Sequence, residues 1–383
     1  MSSQRLVLQY FLASSSEPRH RRLVIMFPVQ IIAFTLFAIS PFSFARPASP
    51  RGNGDHDHWH GGNQNDNHGE NHSGWQHRNH NGGSHGSSSS SGACNSPTTR
   101  VEWTALTQDQ KDAYFEAELC LLAAPAQLQT RIDGVVSRYD DLVGSHVKQG
   151  NIMGGVDLWH VTGQFLAAHR YYLHTHEYLL RNECDYSGPV PYWNEQPDAG
   201  SFATSETVLD FGGEGIEEND YAVVDGPFAN LTRYLGPGTT NTAHLLTREG
   251  DPENSLLGNQ TYVDAVTAET SFAAFQKLMF NTLHAAGHGG VGGDMVNPIS
   301  SPDDPIFFMH HGYLDYVWWK WQGRNDTRIH NLEGAGNETQ AEPVGGYVPT
   351  SEATNLYMYD ILPNITVGDV LDTQGGYLCY MYA

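Results

Sequence analysis

The residues of this chain best suited to chemistry are histidines, because several stand at spacings that bring imidazole rings together. His284 and His288 lie four apart in SFAAFQKLMFNTLHAAGH, whose apolar period predicts a helix, so they share one helical face. His311 lies in PIFFMHHGYLDYVWWKWQ, on the same apolar stripe as Phe307 and Asp315. A histidine buried in such a stripe needs a polar partner or a metal. We therefore expect His284, His288 and His311 to form one three-imidazole site.

His310 and His311 are neighbours in that segment, and neighbouring residues of a helix point about 100° apart. The two rings therefore cannot serve one metal equally. Because His311 lies on the apolar stripe, we assign the metal to His311 and expect His310 to lie behind the ligands. Asp315 stands four residues after His311 and is expected to orient its ring, as carboxylates often do for metal-bound histidines.

A second set of three histidines lies upstream. His146 ends the predicted helix GVVSRYDDLVGSHV, His160 lies in the loop DLWHVTG, and His169 lies in the predicted helix GQFLAAHRYYLHTHEYLLRNE. Imidazole-only ligation suits copper or zinc. Two metal ions about 3.5–4 Å apart can act on one substrate together. The pattern therefore predicts a dinuclear site with six histidine ligands.

Four other histidines of the predicted folded region carry no such pattern. His174 leaves the helical face of His169, and His176 lies about 10 Å further along the axis. His244 and His330 lie in predicted loops without evident partners. We expect surface or inter-helix roles for these residues.

The elements that must position the histidines are mostly helices. Besides the segments quoted above, TALTQDQKDAYFEAELCLLAA has threonines to cap its start and apolar residues at helical spacing. Asp304 is the expected N-cap of the last helix, with Pro305 in its first turn and Gly323 beyond its end. Gly-rich and Pro-rich stretches separate the helices. The expected fold class is mainly α: a four-helix-bundle core, long loops and few short strands.

The first 93 residues are expected to lie outside that domain. Residues 1–45 combine arginines with an apolar run and a Ser43-Phe44-Ala45 cleavage site, which predicts a signal peptide. An uncleaved membrane anchor is the alternative, because the apolar run approaches spanning length. Residues 46–93 are rich in Gly, Asn, Ser and His, and predict a disordered tract. The folded domain is therefore expected over residues 94–383.

The net charge and the predicted secretion limit which partners, substrates and covalent modifications are expected. The whole chain has a formal charge of −23, and removing a leader with four Arg and one Glu gives about −26. So acidic a protein repels nucleic acid and anionic membranes, and a small neutral substrate fits better than either.

Secretion permits disulfides. Four cysteines allow three pairings, of which Cys94–Cys379 with Cys120–Cys184 is favoured because the first pair brackets the folded region. N-x-S/T sequons predict glycosylation at Asn71, Asn230, Asn259, Asn325, Asn337 and Asn364.

Several motifs carry a family resemblance over roughly residues 94–383. The segment from His146 through HVTGQFLAAHRYYL to Cys184 resembles the first copper-binding motif of tyrosinases and catechol oxidases, the polyphenol oxidases. HAAGH, GGDM and DPIFFMHHGYLD are similar to their second motif. RVEWTALTQDQKDAYFEAELCL, PVPYWNE and VVDGPFANLT resemble parts of short, secreted, fungal tyrosinase-like proteins.

The resemblance implies a type-3 site of two copper ions. Its expected ligands are His146, His160, His169, His284, His288 and His311. In that family the second histidine of the HH pair, four residues before an Asp, is the ligand, which agrees with the assignment of His311. The family uses dioxygen to oxidise o-diphenols to o-quinones, and some members first hydroxylate monophenols.

Departures from the family pattern favour diphenols. Leu158 stands where fungal tyrosinases often carry a cysteine in thioether linkage to a ligand, so no such crosslink is expected. Ala285 stands where efficient monophenolases often carry Asn, and Gly289 leaves space above the site. The positions where they keep an acidic residue are occupied by Phe275, Gln276 and Phe280. Without a placed base, phenol deprotonation is disfavoured. Catechols, with o-aminophenols as a further class, are the expected substrates, and monophenol hydroxylation is expected to be weak or absent.

Three other functions remain as alternatives. A true tyrosinase, active on monophenols, is the first. A hemocyanin-like reversible dioxygen carrier would use the same six histidines but needs an occluded site. A dizinc hydrolase would want carboxylate ligands as well.

Further expectations follow from the resemblance. The chain ends at GGYLCYMYA, so no C-terminal lid domain is expected and activity should not require proteolysis. Val296, with Asn297 and Pro298, follows the glycine loop where relatives keep a gate residue. The expected assembly is a monomer or weak homodimer without nucleic-acid partners, and without a membrane partner after signal cleavage.

Overall fold

The computed structural model describes residues 94–151, 157–160, 162–332 and 349–383. The predicted signal peptide, the histidine-rich tract and the sequons at Asn71 and Asn337 lie outside these ranges. Within them the chain is helix-rich with short strands, which confirms the predicted fold class. No helix of these ranges is long and apolar enough to cross a membrane.

The described residues form ten α-helices: α1 Gln108–Ala123, α2 Arg138–Gly150, α3 Phe165–Glu183, α4 Glu206–Asp210, α5 Pro252–Ser255, α6 Gln260–Ala268, α7 Phe272–Met279, α8 Ala285–Val291, α9 Ile306–Gln322 and α10 Gly368–Leu371. Short 3₁₀ turns connect them, including Gly293–Val296 and Ser301–Asp303 beside the predicted site. The four long helices α1, α2, α3 and α9 bury aromatic and aliphatic residues against one another and form the centre of the core.

Local sequence explains where the long helices begin. Thr107 and Gln110 form a capping box at the start of α1, and Ser137 and Asp140 form another at the start of α2. Helix α9 begins one residue later than predicted, with Pro305 as its N-cap.

Asp304 has a partner outside α9 as well as a contact with the first turn of α9. Both carboxylate oxygens of Asp304 accept hydrogen bonds from Arg248, at 2.7 and 2.8 Å. One of these oxygens still accepts from the Ile306 amide at 3.1 Å. Asp304 therefore acts from just outside the helix.

The segment predicted as one helix over 271–288 is divided in three. Helix α7 passes through a π-helical turn, Phe280–His284, into α8. A π turn adds one residue to the helical repeat and is often found at functional sites. This one ends at His284, so it changes the direction in which that predicted ligand points.

The strands are short and form three small sheets: β1 Thr98–Glu102, β2 Pro191–Tyr192, β3 Thr232–Arg233, β4 His244–Leu245, β5 Asn355–Leu356, β6 Ile365–Thr366 and β7 Tyr380–Tyr382. β1 pairs in parallel with both β2 and β7, while β3–β4 and β5–β6 are antiparallel. The β1–β7 pairing, Thr98 opposite Tyr380, ties the two ends of the domain together.

Two disulfide bonds are present, and the one that joins Cys94 to Cys379 reinforces this closure. Cys94 is bonded to Cys379 and Cys120 to Cys184, the pairing favoured from the sequence. At the described sequons, Asn230, Asn325 and Asn364 are exposed and Asn259 is half-buried. Their glycosylation stays a prediction.

A buried charge cluster connects the helices to the sheet. Asp315 of α9 accepts hydrogen bonds from Arg170 of α3 at 2.6 Å and from Arg100 of β1 at 3.2 Å. The hydroxyls of Tyr380 and Tyr382 donate to the same carboxylate at 2.6 and 2.5 Å. The two guanidinium groups hold the pKa of Asp315 below its usual value, although burial alone would raise it. Asp315 is therefore ionised and fully engaged.

We expect the Asp315→Ala substitution to lower the free energy of unfolding by about 3–5 kcal/mol, because it leaves two buried guanidinium groups without their shared anion. Denaturant unfolding with intact disulfides measures this loss. The matched control is Arg131→Ala, which breaks an ion pair to Asp360 whose side chains are 54% and 64% exposed. That change should cost at most about 1 kcal/mol. Equal losses in both variants would contradict the role assigned to Asp315.

Candidate metal centre

His146, His160 and His169 come together as predicted. Their imidazole nitrogens lie within 4.8 Å of one another, and each residue is at most 4% exposed. His146 lies in α2, His169 lies in α3, and His160 lies in the loop between them. Three buried imidazoles from separate segments therefore face one point.

His284, His288, His310 and His311 form the second group, again with nitrogens within 4.8 Å of one another. His284 ends the π turn, His288 follows in α8, and the HH pair comes from α9. The Nε2 atoms of His288 and His311 are 3.3 Å apart. Two nitrogens each about 2.0 Å from one ion in tetrahedral geometry are separated by about 3.3 Å. This spacing suits a shared metal.

The two groups lie side by side. The rings of His169 and His311 are stacked, with centroids 4.3 Å apart and planes inclined by 10°. The rings of His160 and His284 are 6.2 Å apart. Phe307, predicted on the inward stripe, lies 4.1 Å from the His311 ring and 5.4 Å from the His146 ring. An apolar ring thus fills space between the groups and excludes water there.

Most of these rings are held through Nδ1. Carbonyl oxygens, which can only accept, lie 2.7–2.8 Å from Nδ1 of three histidines: His146 with Ile299, His169 with Phe165 and His288 with Met295. His160 Nδ1 instead lies 2.8 Å from a carboxylate oxygen of Asp157. Each of the four Nδ1 atoms must therefore carry the proton, which leaves the lone pair on Nε2.

Burial keeps the rings neutral. Loss of solvent lowers the pKa of His146 to about 3 and the pKa values of His169, His284, His288 and His311 well below the usual histidine value. Neighbouring imidazoles lower them further, since two cations in one buried group repel. Neutral imidazole is the form that binds a metal.

The unpaired Nε2 atoms show whether these histidines suit two metal ions. The Nε2 atoms of His146, His160, His169 and His284 are buried and have no hydrogen-bond partner. Four unpaired polar nitrogens buried in one place are costly unless they have a ligand. Imidazole-only donor sets suit copper or zinc, so these residues fit two such ions.

His310 lies where the helix argument expected, behind the second group. Its Nδ1 is 2.6 Å from an oxygen of Glu195, and both side chains are fully buried. Its ring also packs against Gly287 so closely that a Cβ there would lie 2.0 Å from Nδ1. Glycine at 287 is therefore required by His310. Nevertheless the Nε2 of His310 is unpaired and belongs to the same group of four, so distance alone does not separate it from His311.

The expectation that Asp315 orients His311 is wrong. Its carboxylate is bound by Arg100, Arg170 and two tyrosine hydroxyls. One helical turn carries Asp315 about 6 Å along the axis from His311, which places it among these partners instead of beside the ring.

The other residues predicted around the site differ in exposure. Ala285 and Gly289, each directly after a predicted ligand, are half-buried between fully buried neighbours. A Cβ at Gly289 would lie 3.1–3.2 Å from the Asn254 side chain. Val296 is 57% exposed. Of the residues directly before and after His284 and His288, only Ala285 and Gly289 are not fully buried. The role of Val296 as a gate stays a prediction.

Two carboxylates beside the histidines were missed in the sequence. Asp157 stands three residues before His160, and this short spacing is a sequence signal for the contact between them. Glu195 lies 115 residues before its partner His310, so nothing in the sequence indicated that contact. The carbonyl partners leave no sequence signal, because any residue type supplies a carbonyl. His176, expected between helices, is buried 2.7 Å from Glu118.

Comparisons with known proteins agree with this geometry. A family model described as the common central domain of tyrosinase matches residues 136–324. The tyrosinase ustQ of Aspergillus flavus is 32% identical over 309 residues, covering 76% of this chain and 80% of that protein. The N-acetyl-6-hydroxytryptophan oxidase ivoB of Emericella nidulans is 29% identical over 353 residues, covering 76% and 93% respectively.

A solved structure is similar as well. A mutant polyphenol oxidase from Thermothelomyces thermophila superposes with a TM-score of 0.64 at 26% identity, over 75% of this chain and 89% of that one. The matched domain contains both histidine groups, and the similarity extends over most of the relatives' length. The chain belongs to the tyrosinase family of dicopper oxidoreductases.

Proposed function

We propose that this protein is a secreted dicopper oxidase that passes electrons from o-diphenols to dioxygen and forms o-quinones, with o-aminophenols as a second substrate class. The observation that carries the proposal is the pair of adjacent histidine groups with orphaned Nε2 atoms. The proposed ligands are His146, His160 and His169 for one copper ion and His284, His288 and His311 for the other. Secretion is supported by the leader sequence and by two disulfides.

The stoichiometry sets what the site must do. Each o-diphenol loses two electrons and two protons, and one dioxygen takes up four of each to give two water molecules. Two o-quinones are therefore formed per dioxygen. When bound, two copper ions would supply the electron transfer that no side chain provides alone.

The protein itself orients the imidazole rings and excludes water from the site. Hydrogen bonds on Nδ1 fix ring orientation and direct the Nε2 lone pairs inward. Phe307 and Phe165 line the space between the rings and keep water out; Phe165 lies 4.8 Å from the His284 ring. Ala285 and Gly289 are half-buried and carry little or no side chain, so the proposed place of the aromatic ring is beside them, next to the second group.

Preference for diphenols rests on the missing base. The ring of Phe280 stacks on His284 with centroids 4.8 Å apart, and Phe275 is buried against Trp321. The side-chain amide of Gln276 donates to the Thr162 carbonyl, and an amide, unlike a carboxylate, does not act as a base. A monophenol needs a placed base to lose its proton before hydroxylation, and none of these residues offers one. Catechols are easier to oxidise because no oxygen atom has to be inserted.

Oxygen uptake by the copper-loaded protein tests this proposal. We expect rapid uptake with 4-methylcatechol, at one dioxygen per two catechols, and little or none with the matching monophenol 4-methylphenol. Boiled protein and free copper at equal concentration are the controls.

The alternatives predict different results in the same assay. Comparable uptake with both compounds would make the protein a tyrosinase and show that another group supplies the base. Reversible dioxygen binding without turnover would move it to the carrier class. Either result would contradict the proposal.

The assignment within the HH pair is tested by substitution. We expect His311→Ala to remove one of the two copper ions and at least about 100-fold of the activity, because a primary ligand is lost. His310→Ala should keep two copper ions per chain, because its ring is held by Glu195 and Gly287 behind the site. Metal analysis of the purified variants measures both. Equal copper loss from the two variants would overturn the assignment of His311.

A further inference from the structure

The proposed ligands differ in how their backbone is held. His146, His169, His284, His288 and His311 lie in helical segments, whose own hydrogen bonds fix the backbone. His160 lies in the turn at 157–160, between α2 and α3, outside any helix. The ring of a ligand on a loop has no helix to position it, so another group must hold it.

Asp157 holds both the ring and the loop. Its Oδ2 lies 2.8 Å from His160 Nδ1. Its Oδ1 accepts from the backbone amides of Trp159 at 3.0 Å and of His160 at 2.9 Å. One carboxylate thus closes the turn and fixes the ring that the turn presents. Asp157 and His160 are 7% and 4% exposed.

The carboxylate is in the form that can do this. Its two oxygens face three donors, of which the two backbone N–H groups can only donate, and this is the environment of a carboxylate that acts as an acceptor throughout. An ionised carboxylate only accepts hydrogen bonds. His160 Nδ1 must therefore donate, which fixes the tautomer with the lone pair on Nε2, and that Nε2 is buried without a partner.

His160 also differs from its neighbours in the type of partner. His146, His169 and His288 donate to neutral backbone carbonyls, whereas His160 donates to an anion. A hydrogen bond to an anionic acceptor is roughly twice as strong as one between neutral groups, and it makes the imidazole a more basic ligand. The loop ligand thus has the strongest anchor among these four.

We propose that Asp157 is the positioning residue for the first copper site, which holds the His160 ring and its Nε2 tautomer ready for the metal. This inference rests on the proposed copper function. It predicts that the site formed by His146, His160 and His169 depends on Asp157, while the site formed by His284, His288 and His311 does not.

Asparagine cannot replace Asp157, although it has the same shape. The aspartate oxygens accept from three donors: two backbone amides and the His160 ring. Asparagine offers one oxygen and an NH₂ group. If its oxygen stays on the amides, its NH₂ faces Nδ1 and favours the opposite tautomer, with a proton on Nε2. If the amide flips, its NH₂ faces two backbone N–H groups. One function of Asp157 is lost in either orientation.

The experiment is a copper titration of the full mature chain against a competing chelator, with metal analysis and electron paramagnetic resonance. We expect wild-type protein to hold two copper ions, and Asp157→Asn to hold one tightly and the other about 10–100-fold more weakly. Partially loaded Asp157→Asn should show the signal of a single Cu(II) ion. The matched control is Glu118→Gln, which removes a buried carboxylate from His176, a histidine that is not a proposed ligand. Glu118→Gln should keep both affinities.

A second measurement does not depend on any variant. In metal-free wild-type protein, ¹⁵N spectra of labelled histidine should show His160 as the Nδ1–H tautomer near neutral pH. The Nε2–H tautomer would overturn the proposal, even if Asp157→Asn failed to fold.

The outcomes separate this inference from the proposed function. Two unchanged copper affinities in Asp157→Asn would refute the role of Asp157 and leave the copper function standing. Equal weakening of both sites in Asp157→Asn would also refute it. Wild-type protein without specific copper binding would refute the proposed function itself.

Discussion

The arrangement of this protein depends on the burial of neutral imidazole rings with one nitrogen free. Burial removes the solvent that would stabilise a charged ring, so the pKa values of these histidines fall. Each ring fixed through Nδ1 then presents a lone pair at Nε2, and in His146, His160 and His169 this Nε2 has no protein partner. Such a group is unfavourable by itself and favourable around a metal. The helices, the π turn and the loop that carries His160 all satisfy this one requirement.

The rest of the domain keeps the helices in register. Asp315 joins Arg170 of α3 and Arg100 of β1, and Arg170 also donates to the carbonyls of Val370 and Leu371 in α10. The Arg170 guanidinium lies 3.6 Å from the centre of the Trp318 ring. Buried ion pairs contribute little net stability compared with apolar packing, but they tolerate only one geometry. The cluster is therefore suited to fixing the two ligand-bearing helices α3 and α9 relative to each other.

Much of this could be predicted from the sequence, and the failures have physical causes. Helical spacing places His284 with His288 and separates His311 from His310, because these relations are local. The same reasoning placed Asp315 beside His311, since periodicity gives a face but not the partners that compete for a carboxylate. The π turn was not predicted, because one inserted residue leaves the apolar pattern almost unchanged. Glu195 reaches His310 through tertiary folding, which no spacing reveals.

The central claim is that two metal ions lie between two sets of three histidines. A crystal structure of the copper-loaded protein, with anomalous data collected on either side of the copper absorption edge, tests it most directly. The account predicts two anomalous peaks, one within about 2.0–2.2 Å of Nε2 of His146, His160 and His169, the other equally near Nε2 of His284, His288 and His311. His310 should remain hydrogen-bonded to Glu195. A single peak, or a peak ligated by His310 in place of His311, would contradict it.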